Sequence, residues 1–390
     1  MRHKCHVMKR FAYAAVAAAA MVAAGCGRTV NTAPAQEGSG IDYSASFFRN
    51  VISGADEGEN VFVSPYSAGV ALSMLAEGAE GRTREELAQA LNGVTFTSAE
   101  VAADSSVDIR SANSAWVRDG FKVKEAYLEE LSGTFNARVE NLDFSDPASV
   151  GIINAWCSEN TMGRIPEIID QISPDMVMFL MNALYFKAPW EKAFDPDMTS
   201  DATFYGYTRE SKVPFMTLKS KFRYAEYMGS QLICLPYKGG KYSMLVLLPA
   251  RDVSPDAVLP YLDDGSYRKA LDSMEETEVS YRMPKFRMET TTVLNSTLSG
   301  MGAKRVFTPS AELGGIASGR IAVDEVKQKC FVEVNEEGSE AAAVTSIGIR
   351  LTSANIGPVP VSMTVDRPFL FAIADIENDN ILFIGRVMNL

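Results

Sequence analysis

The sequence predicts an α+β fold in one interleaved domain. Helical signals dominate up to about residue 175, strand signals dominate from 177 to 250, and two further strands, Phe369 to Ile373 and Leu382 to Val387, close the chain. Helices and strands that segregate along a chain, rather than alternate, indicate α+β. The C-terminal strands need partners laid down much earlier. One domain closing on itself is therefore the economical solution for a length that alone suggests two.

The elements follow in order. Ser64 before Pro65 suits a helix cap with proline at the first helical position. Thr83-x-x-Glu86 reads as a capping box ahead of Leu87 and Leu91, with Gly93 as the stop. Only residues 94 to 106 separate that helix from Val107-Asp108-Ile109, too few for an average helix of ~11 residues and two connections. Asp146-Pro147 starts a further helix carrying Ile152, Ile153 and Trp156. Val177 to Phe186 is nearly continuously apolar, as a strand buried on both faces is. Leu232 to Pro249 reads as a hairpin turning at Gly239-Gly240.

Composition excludes several kinds of chemistry. Both histidines, His3 and His6, precede a segment in which Lys9 and Arg10 are followed by the apolar run Phe11 to Gly25, ending Ala23-Ala24-Gly25-Cys26. A basic region, an apolar core and a small-residue cleavage site make residues 1–25 a signal peptide, shorter than the ~20 apolar residues of a spanning helix. Met8 is an alternative start. Without the signal the chain has no histidine, which removes Ser-His and Cys-His catalysis and histidine metal ligands. No phosphate loop or metal-ligand spacing stands out, so neither cofactor nor metal is expected. The remaining chain has 33 basic against 49 acidic residues, a balance that argues against nucleic acid and polyanion partners. Cys157, Cys234 and Cys330 are odd in number and widely spaced, hence buried thiols rather than a disulfide framework. Thr29 to Gly40 is a short polar tether.

Residues 331 to 345 read as a strand that stops at Gly338 and continues into small residues. Counted at the two-residue period of a strand, one face carries Ser339, Ala341, Ala343, Thr345, Ile347 and Ile349. The other carries Glu340, Ala342, Val344, Ser346, Gly348 and Arg350. Every charge falls on one face. A plain Gly/Ala/Ser linker accounts for the small residues but not for this segregation, whereas a segment that waits outside a sheet and later slides into it accounts for both.

Glu336-Glu337-Gly338-Ser339-Glu340-Ala341-Ala342-Ala343 resembles the reactive-centre hinge of inhibitory serpins. Asn60 to Ser67 is similar to the family's shutter strand and the helix after it, and Asn182 to Trp190 to the third strand of its main sheet. Leu235-Pro236-Tyr237 through Leu248-Pro249, Met283-Pro284-Lys285-Phe286, Asp366 to Phe371 and Phe383 to Arg386 supply the remaining landmarks in order. The resemblance covers residues 41–390 and implies helices with three β-sheets and a mobile reactive-centre loop at about 336–362. Ala-Ala-Gly-Cys resembles a bacterial lipobox, implying a lipidated Cys26, a tether over 26–40, and an exported protein at the outer membrane, the cell surface or outside the cell. An ordinary secretory signal is the alternative.

What the resemblance implies is a suicide substrate. A serine-type endopeptidase, with a papain-like cysteine peptidase as a further option, attacks the loop and becomes acylated. The freed loop then inserts into the main sheet before water releases the enzyme. Trp190, Lys285 and Glu336 match the gate (breach) at the top of that sheet, and Ser64, Ser67, Asn182 and Gln328 match the shutter under its centre. Gln328 stands where many members have histidine, so opening should respond less to pH. Family spacing puts the scissile bond at Thr352–Ser353, with Arg350–Leu351 as runner-up. Ser339 is expected to wait, wet, at the mouth of the sheet. The missing helix after residue 94 and the acidic charge imply no heparin-type cofactor, and the chain is expected to be a monomer. A non-inhibitory carrier or chaperone of the same fold, and an exported enzyme or solute-binding lipoprotein, are the competing readings.

Overall fold

Serine followed by proline starts a helix for a local reason: the side chain takes an orphan N–H, and proline has none to leave unpaired. In the computed structural model, which describes residues 38–97, 107–173, 175–339 and 360–390, the Ser64 side chain accepts from the N–H of Ser67 with Pro65 at the first helical turn. The described residues begin with α1 (Gly40–Ser53), β1 (Val61–Val63), α2 (Pro65–Glu77), α3 (Gly81–Ala90), β2 (Asp108–Arg118), α4 (Glu125–Gly133), β3 (Arg138–Leu142) and α5 (Ala148–Asn160). Next come β4 (Met178–Pro189), β5 (Ser200–Tyr205), β6 (Glu210–Tyr227), β7 (Ser230–Pro236), β8 (Tyr242–Leu248), α6 (Asp264–Asp272), β9 (Glu275–Pro284) and β10 (Phe286–Val293). They end with α7 (Asn295–Gly300), β11 (Lys327–Val334), β12 (Gly338–Ser339), β13 (Val361–Thr364), β14 (Phe369–Asp375) and β15 (Asn380–Val387).

Among the described residues, the strands form a six-stranded sheet in the order β10-β11-β12-β4-β2-β3 and a nine-stranded sheet in the order β1-β15-β14-β8-β7-β6-β9-β13, with β5 on β6. The two smaller sheets implied by the resemblance run into one, because β6 pairs β5 at its start, β9 along its middle and β7 at its end. The C-terminal strands find their partners far back in sequence, β15 on β1 and β14 on β8. Gly239 and Gly240 turn the β7–β8 hairpin with φ of 89° and 77°, angles that favour glycine.

The core sits between the two sheets and under α2, which is buried on nearly every side from Pro65 to Leu75. An apolar surface all round suits a central helix. Phe62 of β1 stacks on Phe371 and Phe383 at 5.6 and 5.2 Å, fastening the chain's first strand to its last two. The three cysteines described are free and buried, and burial pushes the Cys157 and Cys330 thiols up to about 12.

Two local expectations are corrected. Thr83 and Glu86 form no capping box: α3 starts at Gly81 with Glu80 as its cap residue. The Thr83 hydroxyl accepts from the N–H of Glu312, while Glu86 accepts from the N–H groups of Lys304 and Arg305. Tertiary donors replaced the local ones. On α5, Ile153 and Trp156 are buried as expected, whereas Ile152 is exposed, because successive helical residues point about 100° apart. Residues 94–97 are not helical, and 98–106 lie outside the described residues.

Arg386 of β15 is fully buried. It donates to Asp256 at 2.7 Å and to the carbonyls of Asp56 and Glu59 at 2.8 and 3.0 Å. Charged hydrogen bonds of this kind contribute about 1.5–3 kcal/mol each and are not fully additive. Arg386→Met should therefore lower the unfolding free energy by about 3 kcal/mol, read from the midpoint of a urea transition.

Candidate functional site

The top of the six-stranded sheet is where β11 gives way to a turn and β12 begins. Asn335 organises that turn: its Oδ1 accepts from the N–H groups of Glu337 and Gly338, its own N–H donates to the Gly338 carbonyl, and its carbonyl accepts from the Trp190 indole at 2.9 Å. The backbone N–H groups of Trp190 and Phe194 donate to the carbonyls of Glu337 and Glu336. The Glu336 carboxylate accepts from Lys285 Nζ and from the Thr199 hydroxyl, each at 2.8 Å. The structure thus brings Trp190, Lys285 and Glu336 into one cluster and adds Asn335 and Thr199, for which no sequence signal stood out.

The charge balance at Glu336 has opposing causes. Burial pushes its carboxyl up, but Lys285, the backbone and Thr199 together outweigh that and hold it below the ordinary carboxylate range. Tyr237, at the end of β7, lies face to face with Trp190 at 4.6 Å. Burial pushes its phenol above the ordinary range, opposed by a hydrogen bond with Ser339.

Ser339 overturns one expectation. It is not wet at the mouth of the sheet: it is 1% exposed, its Oγ lies 2.5 Å from the Tyr237 hydroxyl, and its backbone sits opposite Val334 of β11 and Ala188 of β4. Gly338 fits there because it lacks a Cβ, which would stand 2.0 Å from the Ala188 carbonyl oxygen. Among the described residues no ladder joins β4 directly to β11, and the two meet through Gly338 and Ser339 alone. Glu337 is half-buried beside them. Glu340, Ala341, Ala342, Ala343, Arg350, Leu351, Thr352, Ser353 and Cys26 lie outside the described residues.

Lower in the sheet, Ser64, Ser67, Asn182 and Gln328 also come together. The Gln328 side chain accepts from the Ser64 N–H and donates to the Ser64 carbonyl, both at 2.9 Å, using both ends of the amide. Ser64 Oγ donates to the Leu382 carbonyl at 2.6 Å, and Ser67 Oγ lies 3.5 Å from the Asn182 carbonyl. Asn182 donates to Asn113 and Ser111 of β2, while its Oδ1 is buried without a partner among the described residues. The N-terminus of α2 is thereby tied to β11 and β15.

Among the described residues, the six-stranded sheet is bridged between β11 and β4 by Gly338 and Ser339, with one polar cluster at its top and another lower down. The family model described as serpin (serine protease inhibitor) matches residues 40–390, and the chain belongs to that family. Iripin-2 of Ixodes ricinus is 33% identical over 354 residues, covering 85% of this chain and 88% of that protein. Antichymotrypsin-2 of Bombyx mori is 33% identical over 347 residues, covering 85% and 92%. The native state of the thermophilic serpin tengpin matches with a TM-score of 0.82 at 30% identity, covering 90% of this chain and 93% of that one. Thyroxine-binding globulin in complex with thyroxine matches at 0.79 and 22% identity, covering 90% and 98%, a likeness of fold alone. Serpins are generally protease inhibitors and not enzymes, although some members do not inhibit.

Two predictions follow from the upper cluster. With its folded-state pKa depressed, Glu336 contributes stability that is present above 4.5 and is lost as pH falls through its lower folded value. The thermal stability of the parent should therefore fall more steeply below pH 4.5 than that of Glu336→Gln, as parallel melts would record. Ser339→Arg puts an unpaired charge into a filled site, a cost of several kcal/mol unless the hinge is expelled. The uncleaved variant should be cut faster by a peptidase in residues 335–345 than the parent.

Proposed function

We propose that this serpin is a suicide-substrate inhibitor of serine-type endopeptidases, with papain-like cysteine peptidases as a second target class. The observation that carries this reading is the two-residue strand Gly338–Ser339, lodged between β11 and β4 where those strands lack a ladder of their own among the described residues. On insertion, the same register extended two residues at a time would set Ala341 against Phe186 and Val332, and Ala343 against Leu184 and Cys330, where small side chains suit a core face already lined by buried ones. The same count would set Thr345 at Asn182 and Gln328, the polar cluster in which Asn182 Oδ1 lacks a donor among the described residues. These projected pairings support the reading.

The chemistry belongs to the attacking enzyme. Its nucleophile displaces the amine of the Thr352–Ser353 bond, or of Arg350–Leu351 by the runner-up count, and is acylated by the new carboxyl end. Insertion of about fourteen residues at ~3.3 Å each then carries the enzyme on the order of 45 Å along the sheet. Deacylation needs the enzyme's triad and oxyanion hole intact. The drive is ladder hydrogen bonds worth roughly 1 kcal/mol net each, on the order of 10 kcal/mol in all, comparable with the ~5–15 kcal/mol stability of a whole domain. We further propose, from the basic, apolar and small-residue pattern before Cys26, an exported bacterial lipoprotein whose tether holds a monomeric serpin domain at the outer membrane or cell surface. Its partner is the target peptidase. Nucleic acid and heparin-type cofactors are not among its partners in this proposal.

Incubating the domain from residue 38 onward with a panel of serine peptidases should give a one-to-one adduct that survives boiling in detergent, and cutting the loop should raise the melting temperature strongly. Rapid loop cleavage with no adduct and an unchanged melting temperature would replace this reading with the non-inhibitory carrier.

A further inference from the structure

Tyr237 is fully buried where β7 ends, stacked on Trp190 and met by Phe186 at 5.0 Å and 67°. A buried phenol needs a partner for its hydroxyl, and here the partner is Ser339 Oγ. The other polar contacts at the top of the sheet, from Lys285, Thr199 and Trp190, hold Asn335, Glu336 and Glu337, the turn that precedes the new strand. Among the described residues, Tyr237 is the side chain that hydrogen-bonds a side chain of β12 itself. It does so on the core face, where the alternation of the loop places its uncharged residues.

We propose that Tyr237 is a positioning residue for loop insertion: its hydroxyl holds Ser339 in register between β11 and β4 before any peptidase arrives. This rests on the inhibitory reading above. Ordering the first residues of a strand costs conformational entropy before the ladder returns anything. A first rung made in advance leaves only the addition of further rungs, which shortens the race against deacylation. Tyr237 touches no reacting atom, so acylation should be indifferent to it.

Tyr237→Phe removes one oxygen and keeps the ring stack, Ser339→Ala removes the other oxygen, and Ser339→Thr retains a hydroxyl. Amide hydrogen exchange over residues 335–339 should quicken several-fold in Tyr237→Phe and in Ser339→Ala, and remain near the parent rate in Ser339→Thr. The double variant Tyr237→Phe/Ser339→Ala should exchange no faster than either single one, because one bond is lost only once. In the same variants the moles of inhibitor consumed per mole of peptidase inactivated should rise several-fold while loop cleavage proceeds at the parent rate. Unchanged hinge exchange in Tyr237→Phe, effects that add in the double variant, or faster exchange with unchanged stoichiometry would each overturn the role of Tyr237. A parent that traps no peptidase, with exchange behaving as described, would sink the inhibitory reading while the positioning of Ser339 stood.

Discussion

The structure depends on the separation of β4 and β11. Interior strands ordinarily satisfy each other's backbone groups, and a buried N–H or C=O left alone is costly. Among the described residues, these two are joined only by the two-residue β12. That arrangement explains why so many polar contacts converge on residues 335 to 339. Under the proposed function, a sheet that takes another strand needs its opening fixed, or it would close in a register of its own.

Two polar clusters at different heights do the fixing, and they differ in chemistry. The upper one is ionic: Lys285 and Thr199 on Glu336, whose carboxyl is held below its ordinary range against the pull of burial. The lower one is neutral: an amide, two serines and backbone carbonyls, in which Gln328 both donates and accepts. Glutamine does not titrate. The upper cluster therefore contains a titratable carboxylate, whereas Ser64, Ser67, Asn182 and Gln328 of the lower one do not titrate in the acid range.

Much of this was legible before any coordinates. The β7–β8 hairpin, the strand β4, the Ser64 cap and the early partners of the C-terminal strands follow from apolar patterning, turn residues and capping, which are local rules, although Met178, Phe179, Leu180 and Asn182 of β4 are only partly buried. Thr83 and Glu86 misled because the same groups that make a capping box also serve donors from distant chain, here Glu312, Lys304 and Arg305. Thr199, Asn335 and the contact of Tyr237 with Ser339 were invisible for a similar reason. A tyrosine at a strand end is an ordinary residue until its neighbours are known.

The sequence by itself determined the family and the charge pattern of the segment proposed to insert, because segregated charge and small residues are properties of a linear pattern read at period two. Only the tertiary structure decided where Ser339 lies. Ser339 was expected in water and lies 1% exposed beneath Tyr237 and between Val334 and Ala188. The physical reason is that burial at the mouth of a sheet is set by three segments far apart in the chain, β4, β7 and β11. No local pattern in the hinge carries the hydroxyl that meets it there.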